Sequence, residues 1–219
     1  SPSQTAMLGD LVQGAGDSVP TRSRLTVDDT GTYMIAHKAD GMHLLRFDLK
    51  SNVVQAIATV DEDAFATGVG ENLLVLSNRD AEHGMELWIY DPAKPGIHLL
   101  ADIYPGTESS GPGFFFTWKK IAFFRARTAE HGDELWCTDG TPEGTRELMD
   151  INQGESDGSP YGFVDAGNRL FFRARDSAHG DELWVTDGTP EGTQLAVDAW
   201  PGPDSGGPYN IVPQGKSLY

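Results

Sequence analysis

The sequence predicts an all-β fold built from a repeated unit of 48 residues. The stretch ELWCTDGTPEGT at 134–145 recurs as ELWVTDGTPEGT at 182–193, and a degenerate copy, ELWIYDPAKPGI, stands at 86–97. Successive copies therefore begin 48 residues apart. Short apolar runs alternate with turns rich in Gly, Pro and Asp, and helical periodicity is absent. A spacing this strict indicates a structural repeat before it indicates a chemical site.

One period of the repeat is interpreted as four β-strands. The predicted strands are residues 161–167, 169–175, 181–186 and 194–200. A turn at Gly167 and Asn168 separates the first two strands, and DGTPEGT supplies the turn between the last two. Four short strands in each repeat of this length are typical of the blade of a β-propeller. A β-solenoid is the weaker alternative, because its coils are usually much shorter.

The repeat organises the chain, residues 1–219, as a single propeller domain. The four repeats lie at approximately 11–61, 62–102, 103–150 and 151–198, and a partial blade combines 1–10 with 199–219. Both chain ends align with the last repeat when it is shifted onto them. We therefore predict a five-bladed propeller in which residues 6–10, as the outer strand, and residues 209–213, as an inner strand, belong to the same blade and close the ring. An unpaired strand at this edge would instead allow self-association.

The composition limits the classes of partner. The chain has 33 acidic and 16 basic residues, a formal net charge of −17. This charge argues against nucleic acid, whose phosphates it would repel, and it permits cationic partners or calcium. No apolar run reaches the length of a membrane span. Cys137 is the only cysteine, so no internal disulfide can form.

From about Asp80 to Pro208 the sequence resembles a known repeat family. The segments ELWVTDGTPEGTQLAVDAWPG and FFRARDSAHGDELW are similar to the bacterial ELWxxDGT repeat, also described as hyalin-like. The resemblance implies a large bacterial protein that is exported or attached to the surface, with an extracellular, cell-surface or periplasmic location. It implies no common enzymatic activity. The copy at 86–97 has lost the DGT turn, and the first repeat has lost the tryptophan.

Arginine and tryptophan side chains are the candidate ligand-binding residues. If the second and third strands pair around the loop before the motif, Arg125 lies opposite Trp136 and Arg173 lies opposite Trp184. The same register places an arginine opposite each motif glutamate. We interpret these pairs as cross-strand contacts that fix the register. The alternative is a ledge of Trp and Arg in each blade that binds a sugar or a peptide; in the copy at 86–97, Ser77 replaces the arginine opposite Trp88.

The turn DGTPEGT is the candidate calcium site. Asp139, Thr141, Glu143 and their counterparts in the next repeat could supply oxygen ligands. Asp-Gly is also a common turn dipeptide whose Asp accepts hydrogen bonds from the backbone. The loop lacks the alternating Asp/Asn series of a known calcium loop. We therefore predict a structural turn and no cofactor, with calcium as the alternative.

The histidines do not predict a shared metal centre. His83, His131 and His179 occupy equivalent positions in different repeats, and packed sheets stand about 10 Å apart. One ion needs ligands within about 2–2.6 Å, so these three residues cannot share it. Each is instead predicted to close its own loop.

Catalytic residues should be exceptions to the repeat, because equivalent residues in different blades do not converge. The exceptions are the acids at 61–63, Trp118, Lys119, Lys120, His37 and Lys38. They form no recognisable arrangement of nucleophile, base and oxyanion donor. The sequence therefore favours a non-enzymatic binding or structural module whose ligand is a carbohydrate or a protein. The alternative is a hydrolase with its active site over the central channel of the propeller.

Overall fold

Antiparallel β-sheet and turns account for the regular structure of the described residues. The computed structural model describes residues 26–27, 31–48, 50–51, 53–207, 211, 213–214 and 217–218. No helix in these ranges is long and apolar enough to cross a membrane. The predicted strand at 6–10 lies outside the described residues, so its place in the same blade as residues 209–213 remains a prediction.

Four sheets of four strands follow one another along the described chain, each in strict sequence order. Sheet 1 contains β1 (Thr26–Val27), β2 (Gly31–Lys38), β3 (Gly41–Asp48) and β4 (Val53–Val60). Sheet 2 contains β5 (Ala66–Val69), β6 (Leu73–Asp80), β7 (Gly84–Tyr90) and β8 (Ile97–Ala101). Sheet 3 contains β9 (Gly113–Trp118), β10 (Ile121–Ala126), β11 (Glu134–Thr138) and β12 (Arg146–Met149). Sheet 4 contains β13 (Tyr161–Asp165), β14 (Leu170–Asp176), β15 (Gly180–Thr186) and β16 (Gln194–Val197).

The first strands of successive sheets face one another. Strand β1 contacts β5, β5 contacts β9, and β9 contacts β13. After sheet 4 a short hairpin is formed by β17 (Pro213–Gln214) and β18 (Ser217–Leu218). Neighbouring four-stranded meanders that meet through their first strands are arranged as in a β-propeller. The predicted all-β class and the four strands of one period are thus confirmed.

Apolar cores lie between successive sheets. The core between sheets 1 and 2 contains Ile35, Leu44, Leu74 and Leu76. The core between sheets 2 and 3 contains Val75, Leu87, Phe115 and Phe124. The core between sheets 3 and 4 contains Phe123, Leu135, Leu170 and Phe172. Adjacent residues of β10 thus face different cores, which explains why the strand is apolar on both faces.

The motif tryptophans pack toward the preceding sheet. Trp184 is 5% exposed in the core between sheets 3 and 4. Trp136 packs against the core between sheets 2 and 3, where its ring lies 6.4 Å from that of Phe124. Trp88 packs against the core between sheets 1 and 2. The tryptophan of ELW is therefore part of the contact between sheets.

The glutamates of ELW are buried clamps for the connections between sheets. Glu86, Glu134 and Glu182 each have 0% exposure. The Glu134 carboxylate accepts hydrogen bonds from the backbone N–H of Ile151 at 2.7 Å and of Gly158 at 2.7 Å. Both donors belong to the loop that leads from sheet 3 to sheet 4. The motif thus fixes the start of the next sheet from inside the current one.

The same clamp recurs in the neighbouring sheets. Glu86 accepts the backbone N–H of Ile103 at 2.8 Å and of Ser110 at 2.7 Å, and the Ser110 hydroxyl donates to it at 2.5 Å. Glu182 accepts the backbone N–H of Ala199 at 3.0 Å and of Gly206 at 2.6 Å. The separations of 17 and 24 residues between acceptor and donors are identical in the three copies. The clamp therefore sets the length of the connecting loop.

The close approach of the loop to the carboxylate explains a glycine of the repeat. A Cβ atom added to Gly158 would collide with the Glu134 carboxylate. A Cβ atom added to Gly206 would collide with the Glu182 carboxylate in the same way. Glycine therefore keeps a side chain off the carboxylate in sheets 3 and 4, whereas in sheet 2 the same position is Ser110, whose hydroxyl donates to Glu86 beside its backbone N–H.

The predicted register of the motif hairpin is wrong by one residue. Trp136 is paired with Phe124, and Arg125 is paired with Leu135. Sheet 4 repeats this, with Phe172 opposite Trp184 and Arg173 opposite Leu183. Because neighbouring residues of a strand point to opposite faces, the arginines lie on the other face of the sheet from the tryptophans and the motif glutamates. The buried glutamate requires this register, since its partner in the sheet is the small residue Ala126 in sheet 3 and Ala174 in sheet 4.

Removing the indole of Trp184 should destabilise the protein. We expect Trp184→Ala to lower the free energy of unfolding by ~3–5 kcal/mol, as large truncations in a core do. Trp136→Ala should cost less, because that ring is only partly buried. Urea denaturation followed by tryptophan fluorescence and circular dichroism checks both values. Parental stability of Trp184→Ala would contradict the structural role.

Replacing Glu134 by glutamine should also destabilise the protein. The glutamine N–H2 group would face a backbone N–H, so one buried donor would lose its acceptor, at a cost of about 1–3 kcal/mol. The matched control is Glu143→Gln on an exposed turn, which should change the stability by less than about 0.5 kcal/mol. Equal stabilities of the two variants would show that the clamp is dispensable.

The contribution of Glu134 should depend on pH. Burial raises the pKa of its carboxyl from the ordinary value of 4.5 to about 7, against backbone N–H groups that lower it. A raised folded-state pKa means that the folded protein binds the proton more tightly, so stability from this group is lost as the pH rises toward and through 7. Glutamine does not titrate. The difference in unfolding free energy between the parent and Glu134→Gln should therefore be larger at pH 5 than at pH 8, and the reverse order would contradict the assignment.

Candidate ligand-binding cleft

A cleft of about 620 Å³ opens where sheets 1, 2 and 3 meet the start of sheet 4. Its floor is apolar and includes Met34, Met42 and Met85. Its rim contains Phe65 and Phe114, whose exposed fractions of 38% and 52% are unusual for large apolar residues. The cleft lies within the size range of small-molecule and peptide-side-chain pockets. Exposed aromatic residues around an apolar pocket are typical of a binding site.

Arginine–aromatic stacks occur beside the first strand of sheets 3 and 4. In sheet 4, Arg173 is paired with Tyr161 across the strands, and its guanidinium carbon lies 4.7 Å from the centre of the tyrosine ring. In sheet 3, the equivalent stack is made by Arg125 with Phe114, at 4.5 Å. The residue that corresponds to Tyr161 in sheet 3 is Gly113. The next residue, Phe114, supplies the ring instead.

The backbone of Phe114 is unusual. Its φ is +55°, in the left-handed region that a bulky side chain rarely adopts. The ring also meets Tyr161 edge-on, with centroids 6.3 Å apart. A strained residue that presents an exposed ring at a pocket is a reason to look for function there.

Sheet 2 has the ring but not the arginine. Phe65 is the counterpart of Gly113 and Tyr161, at the same 48-residue spacing. Its backbone N–H donates to the hydroxyl of Ser77 at 3.0 Å, and Ser77 occupies the position of Arg125 and Arg173. Within the described part of the chain, no guanidinium stacks on Phe65. The exchange of arginine for serine therefore leaves room for the cleft, which Ser77 lines.

The charged residues at the cleft have a net negative balance. Arg79 and Arg125 line the cleft and each has a carboxylate beside it. The Arg79 Nε lies 3.5 Å from Asp61 and the Arg125 Nε lies 3.3 Å from Asp133. Glu62 and Asp63 also line the cleft, are exposed, and form no ion pair with a described residue. These two carboxylates set the electrostatic character of the rim.

The predicted ledge of arginine and tryptophan does not form in sheet 3 or in sheet 4. Arg125 lines the cleft, and Arg173 lies in the next sheet, where its Nη2 pairs with Asp181 at 2.7 Å. Trp136 and Trp184 point into the cores between sheets. The reason is the register described above, which places arginine and tryptophan on opposite faces. That any of the four binds a ligand remains a prediction.

The sequence contained a signal for the cleft that the prediction did not use. Ser77 breaks the arginine series, and Glu62 and Asp63 belong to the acids that break the repeat. The other repeat-breaking residues, Trp118, Lys119, Lys120, His37 and Lys38, do not line it. Phe65 and Phe114 were missed, because spacing alone does not reveal which rings remain uncovered.

The DGT turn is held together by its own hydrogen bonds. Asp139 Oδ1 accepts the backbone N–H of Thr141 at 2.9 Å and its hydroxyl at 2.7 Å. Asp187 makes the same two bonds with Thr189, at 3.0 Å and 2.7 Å. These bonds hold the pKa of both aspartates below the ordinary value. Over the ranges that the structure describes, no cluster of three or more His, Cys, Asp or Glu is placed to hold a metal ion.

The histidines before Gly have local carboxylate partners. His83 Nδ1 lies 2.9 Å from Asp80, and His179 Nδ1 lies 2.9 Å from Asp176, three residues away in each case. The prediction that these two histidines close their own loops is confirmed. His131 differs, because its Nδ1 lies 2.9 Å from Glu147 of β12. The hydrogen bonds to these carboxylates raise the pKa of all three histidines.

Comparison with known proteins shows the fold class. No protein-family model and no curated protein matches the chain. TolB from Acinetobacter baumannii has a similar structure, with a TM-score of 0.52 and 15% identity over 76% of this chain and 41% of TolB. A prolyl endopeptidase has a TM-score of 0.54 and 14% sequence identity, and the match covers 89% of this chain and 30% of the endopeptidase. A puromycin hydrolase has a TM-score of 0.52 and 13% sequence identity, and the match covers 79% of this chain and 28% of the hydrolase. The chain spans less than half the length of each. These likenesses define the class as a β-propeller-like all-β protein.

Calcium should not change the melting temperature. The Asp139 carboxylate is occupied by its own turn, and the corresponding turn of sheet 2 has Lys94 near Asp91, with 3.7 Å between Nζ and Oδ2. A ligand at a hundredfold excess over its Kd would add about 2.7 kcal/mol and raise the melting temperature by several degrees. Melting in chelator and in millimolar calcium provides the measurement. A rise of that size that Asp139→Asn with Asp187→Asn abolishes would establish a calcium site.

Proposed function

We propose that this chain is a non-enzymatic binding module that captures a segment of a partner protein in the cleft between sheets 1, 2 and 3. The observation that supports it best is the apolar cleft with the exposed rings of Phe65 and Phe114 at its rim. Aromatic side chains of this kind provide much of the binding energy at protein interfaces. The resemblance to exported bacterial repeat proteins supports a location outside the cytoplasm.

The ring is proposed to have five blades, the last of them shared by the two chain ends. The four described sheets and the hairpin of β17 and β18 that follows sheet 4 support this number. Closure by strands from both ends would complete the ring, but an unfilled strand position in the last blade would leave an open edge there. Self-association through such an edge is the competing outcome, and size-exclusion chromatography with light scattering separates a monomer from a dimer.

The lining of the cleft favours a protein ligand over a glycan. A sugar brings many hydroxyl groups, each of which needs a hydrogen-bond partner when it leaves water. The floor consists mainly of methionine, leucine, isoleucine and phenylalanine, and Ser109 and Arg79 are among its few polar groups. An apolar peptide side chain matches such a floor without leaving polar groups unpaired.

A hydrolase is the second candidate, and one observation favours it. Glu62 and Asp63 place two carboxylates at the rim of the cleft, and a carboxylate pair is the chemistry of a glycosidase. Histidine, cysteine and lysine are missing from the described lining, so neither Ser77 nor Ser109 has a base beside it there. Turnover in a screen of glycosidic and ester substrates, lost in Glu62→Gln or Asp63→Asn, would establish the hydrolase instead.

The binding function is tested with a phage-displayed library of random heptapeptides and a glycan array. We expect enrichment of peptides, and we expect Phe114→Ala to weaken an enriched peptide about tenfold, the size of the loss for one aromatic anchor. The matched control is Trp200→Ala, which removes a ring that is 62% exposed outside the cleft. Binding on the glycan array alone would overturn the proposal, and so would the absence of any enrichment. Equal loss of peptide affinity in Phe114→Ala and Trp200→Ala would also overturn it.

A further inference from the structure

We propose that the partner segment presents a cationic side chain, best an arginine, which stacks on Phe65 beneath Glu62 and Asp63. This inference rests on the proposed function and names the chemistry that the cleft recognises. Its basis is the comparison of the starts of sheets 2, 3 and 4, where Phe65 and Tyr161 are at equivalent positions and the ring of sheet 3 belongs to Phe114, the residue after the equivalent Gly113. Sheets 3 and 4 hold an intramolecular arginine–aromatic stack, and sheet 2 holds the ring alone.

The stacks in sheets 3 and 4 show what this position of the repeat accommodates. Arg125 lies 4.5 Å from the ring centre of Phe114, and Arg173 lies 4.7 Å from that of Tyr161. Both distances are within the range of a cation–π contact. The planar guanidinium stacks on such rings and is only weakly hydrated, so it leaves water at a small cost.

In sheet 2 the protein's own arginine is replaced by Ser77. The serine side chain is short and is engaged by the backbone N–H of Phe65 at 3.0 Å. Phe65 thus keeps 38% exposure at the edge of the cleft. An arginine brought by a partner would make the contact that the other two sheets make internally.

The charge of the rim is complementary to such a side chain. Arg79 has Asp61 beside it, and Arg125 shares Asp133 with Arg127, whose Nε lies 2.9 Å from the same carboxylate. With Glu62 and Asp63, four carboxylates face three arginines, so the local balance is one negative charge. Glu62 and Asp63 remain, two negative charges with no described ion-pair partner. The net charge of −17 of the whole chain would also draw a cationic segment toward the cleft.

The guanidinium of a bound arginine and the apolar groups next to it would occupy different parts of the cleft. The methylene groups of the side chain and an adjacent apolar residue fit the floor of Met34, Met42 and Met85. Methionine side chains are flexible and polarisable, so this floor adapts to several apolar shapes. Selectivity would then come from the cation, and the apolar neighbour would be variable.

The test uses two synthetic heptapeptide libraries that differ only at the fixed central residue, which is arginine in one and citrulline in the other. Citrulline has the shape of arginine without its charge. For peptides that bind the parent protein, we expect citrulline to weaken binding about tenfold, through loss of the cation–π contact and of the attraction to two carboxylates. Equal affinity of the two series would overturn the inference and leave the proposed binding function standing. No binding of either series would overturn both.

Substitutions in the protein locate the effect. Phe65→Leu keeps the apolar wall, and Glu62→Gln with Asp63→Asn removes the charge. Each should reduce the preference for arginine over citrulline by about threefold or more. The matched control, Glu130→Gln with Glu155→Gln, removes two exposed carboxylates from other loops and should leave the preference unchanged. A preference that survives in the Phe65 and Glu62/Asp63 variants would place the cation elsewhere and overturn the proposal.

Ser77→Arg provides the most specific variant. It restores the residue of the other sheets, and the new side chain should stack on Phe65 and occupy the cleft. We expect the variant to fold as the parent does, by circular dichroism and melting, and to lose binding of the arginine peptides. Folded Ser77→Arg protein that binds these peptides with parental affinity would contradict the inference. If the variant does not fold, the comparison of arginine and citrulline peptides on the parent protein still tests the inference.

Discussion

The architecture depends on a buried carboxylate that accepts hydrogen bonds from the next connecting loop. Glu134 has no exposed surface, and its oxygens are held by backbone N–H groups 17 and 24 residues further along the chain. A charge buried this deeply is tolerated only when its partners are fixed, so the loop must follow one path. That path delivers the chain to the first strand of the next sheet. The constant separations of 17 and 24 residues in the three copies are consistent with this geometry.

The duplicated motif is therefore explained by architecture in each of its parts. The glutamate holds the connecting loop, and the tryptophan packs against the preceding sheet. The aspartate and threonine of DGT close the hairpin that returns the chain to the last strand. Function is expected where the repeat is broken. Ser77 is such a break, and it lies in the wall of the cleft.

The all-β class, the four strands of a period and the role of the turn could be predicted from the sequence, because spacing and turn chemistry are local signals. The strand register could not. It depends on which face buries the glutamate, and Ala126 gave no local indication that it lies opposite Glu134. For the same reason the sequence pattern predicts Arg125 opposite Trp136, although the two side chains lie on opposite faces of the sheet. The cleft depends on the exposure of Phe65 and Phe114, which only the packing of three sheets determines.

Amide hydrogen exchange at Ile151 and Gly158 tests the central claim most directly. If the glutamate clamp organises the connection between sheets, these two amides exchange slowly in the parent, although they belong to a loop and not to a strand. In Glu134→Gln they should exchange much faster, while the amides of β10 keep the protection that the global stability allows. Fast exchange of Ile151 and Gly158 in the parent, or unchanged protection in the variant, would contradict the account.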